Sequence, residues 1–351
     1  MKQKLLVALL LTVAFGYLAM VSGALPSAGA ADETLSAQAD SAPTAAVSPS
    51  PEQSPSPQPA EEPTSSPEQS PSQETAEEST SPPEQNPSQE PVKEPSPAPS
   101  PVQVITTTIT ADSIIDNNTN YTVDENALSA EDLTLTLPSD GPQILIIHTH
   151  TTEAYTMDGD DSYVQTDSYR TTDIQHSVVR VGEELKTALE AYGLQVLHDT
   201  NFYDYPSYTG SYARSGAAVT AYLAQYPSIS LVIDLHRDAL GTESTIYKTV
   251  TDVQGTTAAQ IMFVMGTDEN LYHPHWQENL KLALKLQNAT AALYPELMRP
   301  IELSSYRYNE QLTTGSMLME VGTSGNTLQE ALEAVRLFAK AAGPVLASLV
   351  K

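Results

Sequence analysis

Three short stretches of this 351-residue chain place imidazole and carboxylate side chains at the ends of apolar runs. QILIIHTHTTE carries His148, His150 and Glu153, SLVIDLHRD carries Asp234, His236, Arg237 and Asp238, and SMLMEVG carries Glu320. Two imidazoles and one carboxylate are the donor set of a hydrolytic zinc ion, which takes three protein ligands and keeps one position open for water. Zinc brings the pKa of that water towards neutrality, and a separate carboxylate can take its proton and pass it to a leaving amine. The chain has no cysteine, so thiolate sites are excluded and His, Asp and Glu remain as ligands. His150 and His236 are therefore the expected ligands of Zn2+, and Glu320 the expected acid–base.

The third ligand is open between Asp173, in RTTD just ahead of a helical stretch, and Glu153. His148 lies two residues before His150, so in an extended strand both project to one face and either can ligate. Arg237 binds a substrate carboxylate or pairs with Asp234 or Asp238. His273 and His275, in YHPHW, sit beside Pro274 and Trp276 and read as an ordered surface loop, while His176 and His198 read as incidental. There is no glycine-rich phosphate loop and no G-x-S-x-G nucleophile elbow.

These residues need a frame that brings three separate runs to one edge. Strands are expected at 143–150, 194–199, 230–236, 259–266 and 316–322, several of them continuous apolar runs of the kind covered on both faces. Residues 103–140 add short β-like runs, VITTTIT and LTLTLP, with the turn-prone DNNTN between. Helices are expected from Val178 to Tyr192, with Gly193 as C-terminal cap, at 211–225 and from Gln277 to Leu293. A last helix starts at Asn326, an N-cap with Gln329 three residues on. Strands alternating with helices predict a three-layer α/β domain over 103–351, with a largely parallel central sheet flanked by helices. In such sheets ligands bind outside the carboxyl ends of the strands, where His150, His236 and Glu320 fall.

The first hundred residues differ. Met1 to about Gly23 has a basic start, Lys2 and Lys4, and an uncharged apolar run from Leu5 to Val21. Within the targeting segment 1–30, Ala28-Gly29-Ala30 offers a cleavage site. The favoured reading is an uncleaved anchor with its lysines inside, placing the chain in the cell membrane as a single-pass protein with the catalytic domain on the wall-facing side. Residues 31–102 are rich in Pro, Ser, Glu and Gln, with PEQSPS at Pro51 and Pro67, PEQNPS at Pro83, and Lys93 as the single basic residue. Such a stretch buries too little apolar surface to offset its ordering entropy, so a disordered, extended linker is expected. The formal net charge of -28 argues against nucleic acid as a partner, because phosphate is repelled.

HTHTTEAY, RTTDIQHSVVRVGEEL, HDTNFYDYPSYTGSYARS, DLHRDA and SYRYNEQL followed by MEVGTSGNTLQEA, in this order over 103–351, resemble the stage II sporulation protein P family. The resemblance implies an amidase-like fold related to the zinc-dependent N-acetylmuramoyl-L-alanine amidases. It implies a peptidoglycan hydrolase of sporulation that removes stem peptides at the bond between muramic acid and L-alanine, with a second activity on peptide cross-links. A lytic transglycosylase (sporulation protein D) and a membrane anchor protein (sporulation protein M) are the implied partners during engulfment. Carried over residue by residue, His150, His236 and Glu320 match the family's metal and catalytic positions, and Asp173 falls where the amidases place a Glu ligand. The residues by themselves also fit a non-catalytic wall-binding scaffold, or a zinc carboxypeptidase or deacetylase acting on another cell-wall bond.

Overall fold

The structure, a computed structural model, describes residues 102–351. The strands are β1 (Gln103–Thr107), β2 (Ile115–Asn117), β3 (Ile144–Ile147), β4 (Val196–His198), β5 (Leu231–Asp238), β6 (Thr245–Val253), β7 (Thr256–Ala259), β8 (Ile261–Gly266), β9 (Ile301–Ser304) and β10 (Ser316–Thr323). The helices are α1 (Glu125–Ala130), α2 (Val178–Glu190), α3 (Ser211–Gln225), α4 (Trp276–Leu293) and α5 (Leu328–Ala347), with a 3-10 turn at Glu310–Leu312. A seven-stranded sheet runs in the order β2-β9-β8-β10-β5-β3-β4, and a second sheet in the order β1-β6-β7.

The large sheet is mixed, where a largely parallel one is expected. β4, β3, β5 and β10 are parallel to one another, and so are β8, β9 and β2, but the two blocks meet antiparallel at β10 and β8. A continuous apolar run reports burial of both faces and says nothing of direction.

Period-two alternation distributes the side chains. Ile144 and Ile146 of β3, Leu231, Ile233 and Leu235 of β5, and Met317, Met319 and Val321 of β10 enter the main core with α2, α4 and α5. Leu145, Ile147 and Val232 pack on the opposite face with Val219 of α3. The four residues of β3 are each at most 1% exposed, and burial of such side chains stabilises by roughly 1.5–3 kcal/mol each. On the α3 face, β5 also presents Asp234 and His236, and β10 presents Leu318 and Glu320. The parallel register pairs Leu318 with Asp234 and Glu320 with His236.

Local chemistry accounts for the boundaries. Ser177 caps α2 by accepting from Val179 N, and Gly193 adopts a φ of +82° just beyond the helix. α5 is capped by Thr327 with Glu330 in a capping box, one residue later than expected. Asn326 is drawn away because its side chain bonds Thr323 N (2.9 Å) and Thr249 O (3.0 Å). The β6–β7 hairpin, not foreseen, turns through Gln254 and Gly255, both at positive φ (56° and 85°). LTLTLP forms only an isolated bridge, Leu137 to Val350.

The single-pass membrane placement does not stand. Among the described residues no helix is long and apolar enough to cross a membrane. The longest, α5 and α4, carry charges such as Glu333, Arg336 and Lys340, or Glu278, Lys281 and Lys285, along their length. The targeting segment 1–30 and the linker, apart from Val102, lie outside the described residues.

Candidate metal centre

β3 ends at Ile147, and residues 149–152 form a turn that folds His150 back over the sheet edge. Thr149 fastens this turn to β5, its backbone N–H and hydroxyl donating to the Asp234 carboxylate at 2.8 and 2.6 Å. Glu153 follows on the same turn, its N–H donating to His150 O at 3.1 Å and its carbonyl accepting from Val178 N at the start of α2 (2.8 Å). His236 rises from β5.

His150, Glu153 and His236 are all buried, and one ligand atom from each lies within 4.8 Å of the other two. Glu153 sits between the rings, Oε1 being 3.4 Å from His150 Nδ1 and Oε2 3.4 Å from His236 Nδ1. That is long for a hydrogen bond and close to the roughly 3.3 Å separating two ligands held about 2.0–2.1 Å from a tetrahedral ion. His150 Nε2 and His236 Nε2 are buried without a hydrogen bond. Asp234 Oδ1 lies 2.8 Å from His236 Nε2, off the ring N–H axis, so this contact is an ion pair and not a hydrogen bond. A carboxylate behind an imidazole is a common support for a metal ligand. Among the described residues this is the group that could hold a metal ion.

The electrostatics favour a cation. Burial alone would lower the pKa of His236, but Asp234 and Glu153 hold it well above the imidazole range. Burial alone would raise Glu153, yet Arg237, with His150 and His236, holds it well below the usual carboxylate range. Glu320 behaves in the opposite way. It retains some exposure, but its Oε2 is shielded and makes no hydrogen bond. Burial, with Asp238 and Glu153 nearby, pushes its pKa well above the carboxylate range against the pull of His236 and Arg237. A carboxyl that prefers its proton, one strand over from an imidazole of the centre, is placed for proton transfer.

The remaining expected residues lie elsewhere. Asp173 is exposed and holds His176 Nδ1 (2.8 Å) and Gln175 N (3.0 Å) outside the grouped ligands. His148 does not share a face with His150, because the strand has already ended. Its Nδ1 meets Leu235 O at 2.7 Å and its Nε2 meets His198 Nε2 at 2.9 Å. Burial, then the neighbouring His198, push the pKa of His148 down to about 3. Gly182 of α2 leaves room for this pair, since a Cβ there would sit 2.7 Å from both Nε2 atoms. Arg237 pairs with neither Asp234 nor the Asp238 side chain: Nε donates to Ala154 O and Nη2 to Tyr169 O, both at 3.0 Å. Asp238 is taken by Arg299 at 2.7 Å. The YHPHW segment is a surface loop with Tyr272 and Pro274 exposed, but the His273 side chain within it is fully buried, 4.0 Å from Glu310.

The sequence pattern of the stage II sporulation protein P family matches residues 22–343. The chain belongs to that family. Stage II sporulation protein P of Bacillus subtilis (strain 168) is 28% identical over 202 residues, which cover 53% of this chain and 47% of the relative. The chain thus spans about half the length of the curated relative it matches. Among solved structures it is similar to N-acetylmuramoyl-L-alanine amidase AmiC2 of Nostoc punctiforme, at 12% identity and a TM-score of 0.32, covering 59% of this chain and 96% of that one. It is also similar to the CwlD amidase from Clostridioides difficile in complex with the GerS lipoprotein, at 12% identity and a TM-score of 0.34, covering 59% and 98%.

Several residues that support the centre in this family member were not singled out from sequence. Arg170 donates to Asp204 at 2.6 Å, lies 3.3 Å from Glu153 Oε1, and stacks 5.0 Å over the Tyr208 ring. Tyr208 stacks on His150 at 4.6 Å, and Tyr212 meets it edge-on at 5.5 Å. Only Asp234 had a usable signal, lying two residues before His236 and so on the same strand face.

Proposed function

We propose that residues 103–351 form a zinc-dependent N-acetylmuramoyl-L-alanine amidase that acts on peptidoglycan during sporulation. The observation that carries this reading is the buried His150–Glu153–His236 group beside Glu320. Membership in a sporulation family supports the setting, and the donor set supports zinc: two imidazoles and a carboxylate. In this reading Glu153, and not Asp173, is the third ligand, with Asp234 steadying His236 from behind. His148 and Arg237 are supports, the one filling the space under α2, the other holding Glu153 charged and tying down the turn.

Zinc bound here supplies a Lewis acid for the amide carbonyl and an acidified water. Glu320 in its ionised form would take the proton of the attacking water on its free Oε2 as the new C–O bond forms. It then delivers that proton to the amide nitrogen as the C–N bond breaks, so the stem peptide leaves with a neutral amine. The raised pKa of Glu320 lets it keep the proton between the two events. Arg170 and Arg237 keep Glu153 ionised through the cycle.

The test is digestion of purified sacculi, with product masses compared for the wild-type chain and Glu320→Gln. Stem peptides carrying a free L-alanine amino terminus are expected from the wild type. The variant is expected to retain its metal while losing about 10²–10⁴ in rate. Undiminished products from Glu320→Gln would overturn the role of Glu320. Products cut only within cross-links would overturn the bond assignment.

A further inference from the structure

The segment joining β9 to β10 holds two consecutive non-glycine residues in the left-handed region, Tyr308 at φ 43° and Asn309 at φ 64°. Such a backbone persists only where its surroundings over-determine it. The buried Glu310 carboxylate supplies one constraint, accepting from Gly266 N (2.5 Å) on β8 and Leu318 N (3.2 Å) on β10. The other lies on α3. Gly216 leaves the space that the Asn309 side chain fills, since a Cβ there would fall 2.8 Å from Asn309 Oδ1. Asn309 Nδ2 then donates to Tyr212 O (2.8 Å) and Ser215 Oγ (3.2 Å).

From Ser215 the contacts continue inward. Its hydroxyl oxygen lies 2.6 Å from Thr149 Oγ1, which lies 2.6 Å from Asp234 Oδ2. Asp234 Oδ1 stands 2.8 Å from His236 Nε2, the ring nitrogen opposite the one that faces Glu153. Thr149, Ser215 and Asp234 are all buried, so solvent competes little for these bonds. Proton counting gives the network a direction. Both of its ends only accept, Tyr212 O being a carbonyl and Asp234 a carboxylate. Thr149 has a single hydroxyl proton, and the charged acceptor takes it, because charge-assisted bonds are the stronger kind. Its oxygen then accepts from Ser215, and Ser215 accepts from the Asn309 amide. Tyr212 O is a poorer outlet for the Ser215 proton, at 3.3 Å and already served by Asn309.

We propose that Asn309, Ser215 and Thr149 are positioning residues for the metal centre: their one-way network holds Asp234 against the Nε2 side of His236, so that Nδ1 is the nitrogen turned to the metal. The inference rests on the zinc reading above and adds what orients the second imidazole. A carboxylate behind a ligating imidazole fixes the ring's orientation and favours the tautomer with its proton on the far nitrogen. It does so only if it cannot itself rotate. Thr149 holds both Asp234 oxygens, its N–H on Oδ1 at 2.8 Å and its hydroxyl on Oδ2. The three residues come from the turn after β3, from α3 and from the β9–β10 connection, which gives the unfavoured backbone at Asn309 a use. The same amide anchors Tyr212, whose ring meets His150 edge-on at 5.5 Å, so both imidazoles are braced from one point.

The test is the zinc affinity of the full chain at neutral pH, read by competition with a chelator of known affinity. Thr149→Val keeps the side-chain shape without the hydroxyl and is expected to weaken zinc binding about 10–100-fold. Thr149→Ser restores the hydroxyl and is expected to stay within about threefold of the wild type. Ser215→Ala and Asn309→Ala, further out, are expected to show smaller losses, from about tenfold down to about threefold. Melting of the zinc-free chains separates folding from positioning, since a merely structural role would lower the melting temperature and leave the affinity of the folded protein alone. Unchanged zinc affinity in Thr149→Val, or equal weakening in Thr149→Val and Thr149→Ser, would overturn the network. If Thr149→Val fails to fold, unchanged affinity in Ser215→Ala overturns it instead. A wild-type chain that binds no zinc removes this inference and the metal reading together. Graded zinc loss in a chain that releases no stem peptides keeps the network and sinks the amidase reading. Intact zinc binding by Thr149→Val in a chain that does release them sinks the network alone.

Discussion

His150 and His236 approach with ring centroids 5.0 Å apart, and His148 and His198 approach to 5.1 Å. The two pairs are nearly equal in spacing and both edge-on, yet they have opposite electrostatics. Glu153 lies between the first pair and Asp234 behind it, and this environment draws in positive charge. In the second pair the rings meet nitrogen to nitrogen, and His148 is buried against a backbone carbonyl and held neutral. Glu183 reaches only His198, from the exposed side. Proximity of two imidazoles is therefore not enough to make a group that could hold a metal ion. A buried carboxylate within reach of both is what separates them.

That contrast can be broken most directly by removing one ring from each pair. His236→Ala is expected to reduce bound metal from about one per chain to a small fraction, with loss of hydrolysis, read by elemental analysis of the purified chain. His198→Ala is expected to leave metal content unchanged. It strips His148 Nε2 of its partner, so stability should fall by about 1–3 kcal/mol, read by denaturant titration. Metal loss in His198→Ala, or its retention in His236→Ala, would erase the distinction between the pairs.

A second comparison sharpens the role of the carboxylate. Glu153 is buried with cations around it and stays ionised, whereas burial, with Asp238 and Asp116 nearby and Arg299 opposing, pushes Glu302 up to about 7. Folded protein therefore binds the Glu302 proton more tightly than the unfolded chain does. The stability this contributes is present below the unfolded value near 4.5 and is lost as pH rises to about 7. Glu302→Gln should match the wild type at pH 4 and exceed it at pH 8 by on the order of 1–3 kcal/mol. Equal pH profiles for the two chains would show that Glu302 is solvated as an ordinary surface carboxylate.

How much of the site was legible in sequence depended on whether each residue lay inside a regular strand. His236 and Glu320 did, and alternation along β5 and β10 turned them to one face. His148 and His150 did not. The strand ended at Ile147, alternation lapsed, and two residues that an extended chain would have aligned were sent to different neighbours. Glu153 lay on the same turn, where no period points a side chain. Asp173 looked better placed by its distance from α2, but it turned outward to His176.

Composition and periodicity alone determined the α/β alternation, four of the five helices among the described residues, a cysteine-free donor set and the apolar runs ending in His and Glu. Those features follow from local chemistry: helical stripes, caps and continuous apolar runs act over a few residues. The tertiary structure decided the antiparallel junction of β8 with β10, the β6–β7 hairpin, and Glu153 as the carboxylate shared by two rings. Each depends on contacts between residues far apart in the chain, where burial and charge, and not spacing, choose the partner.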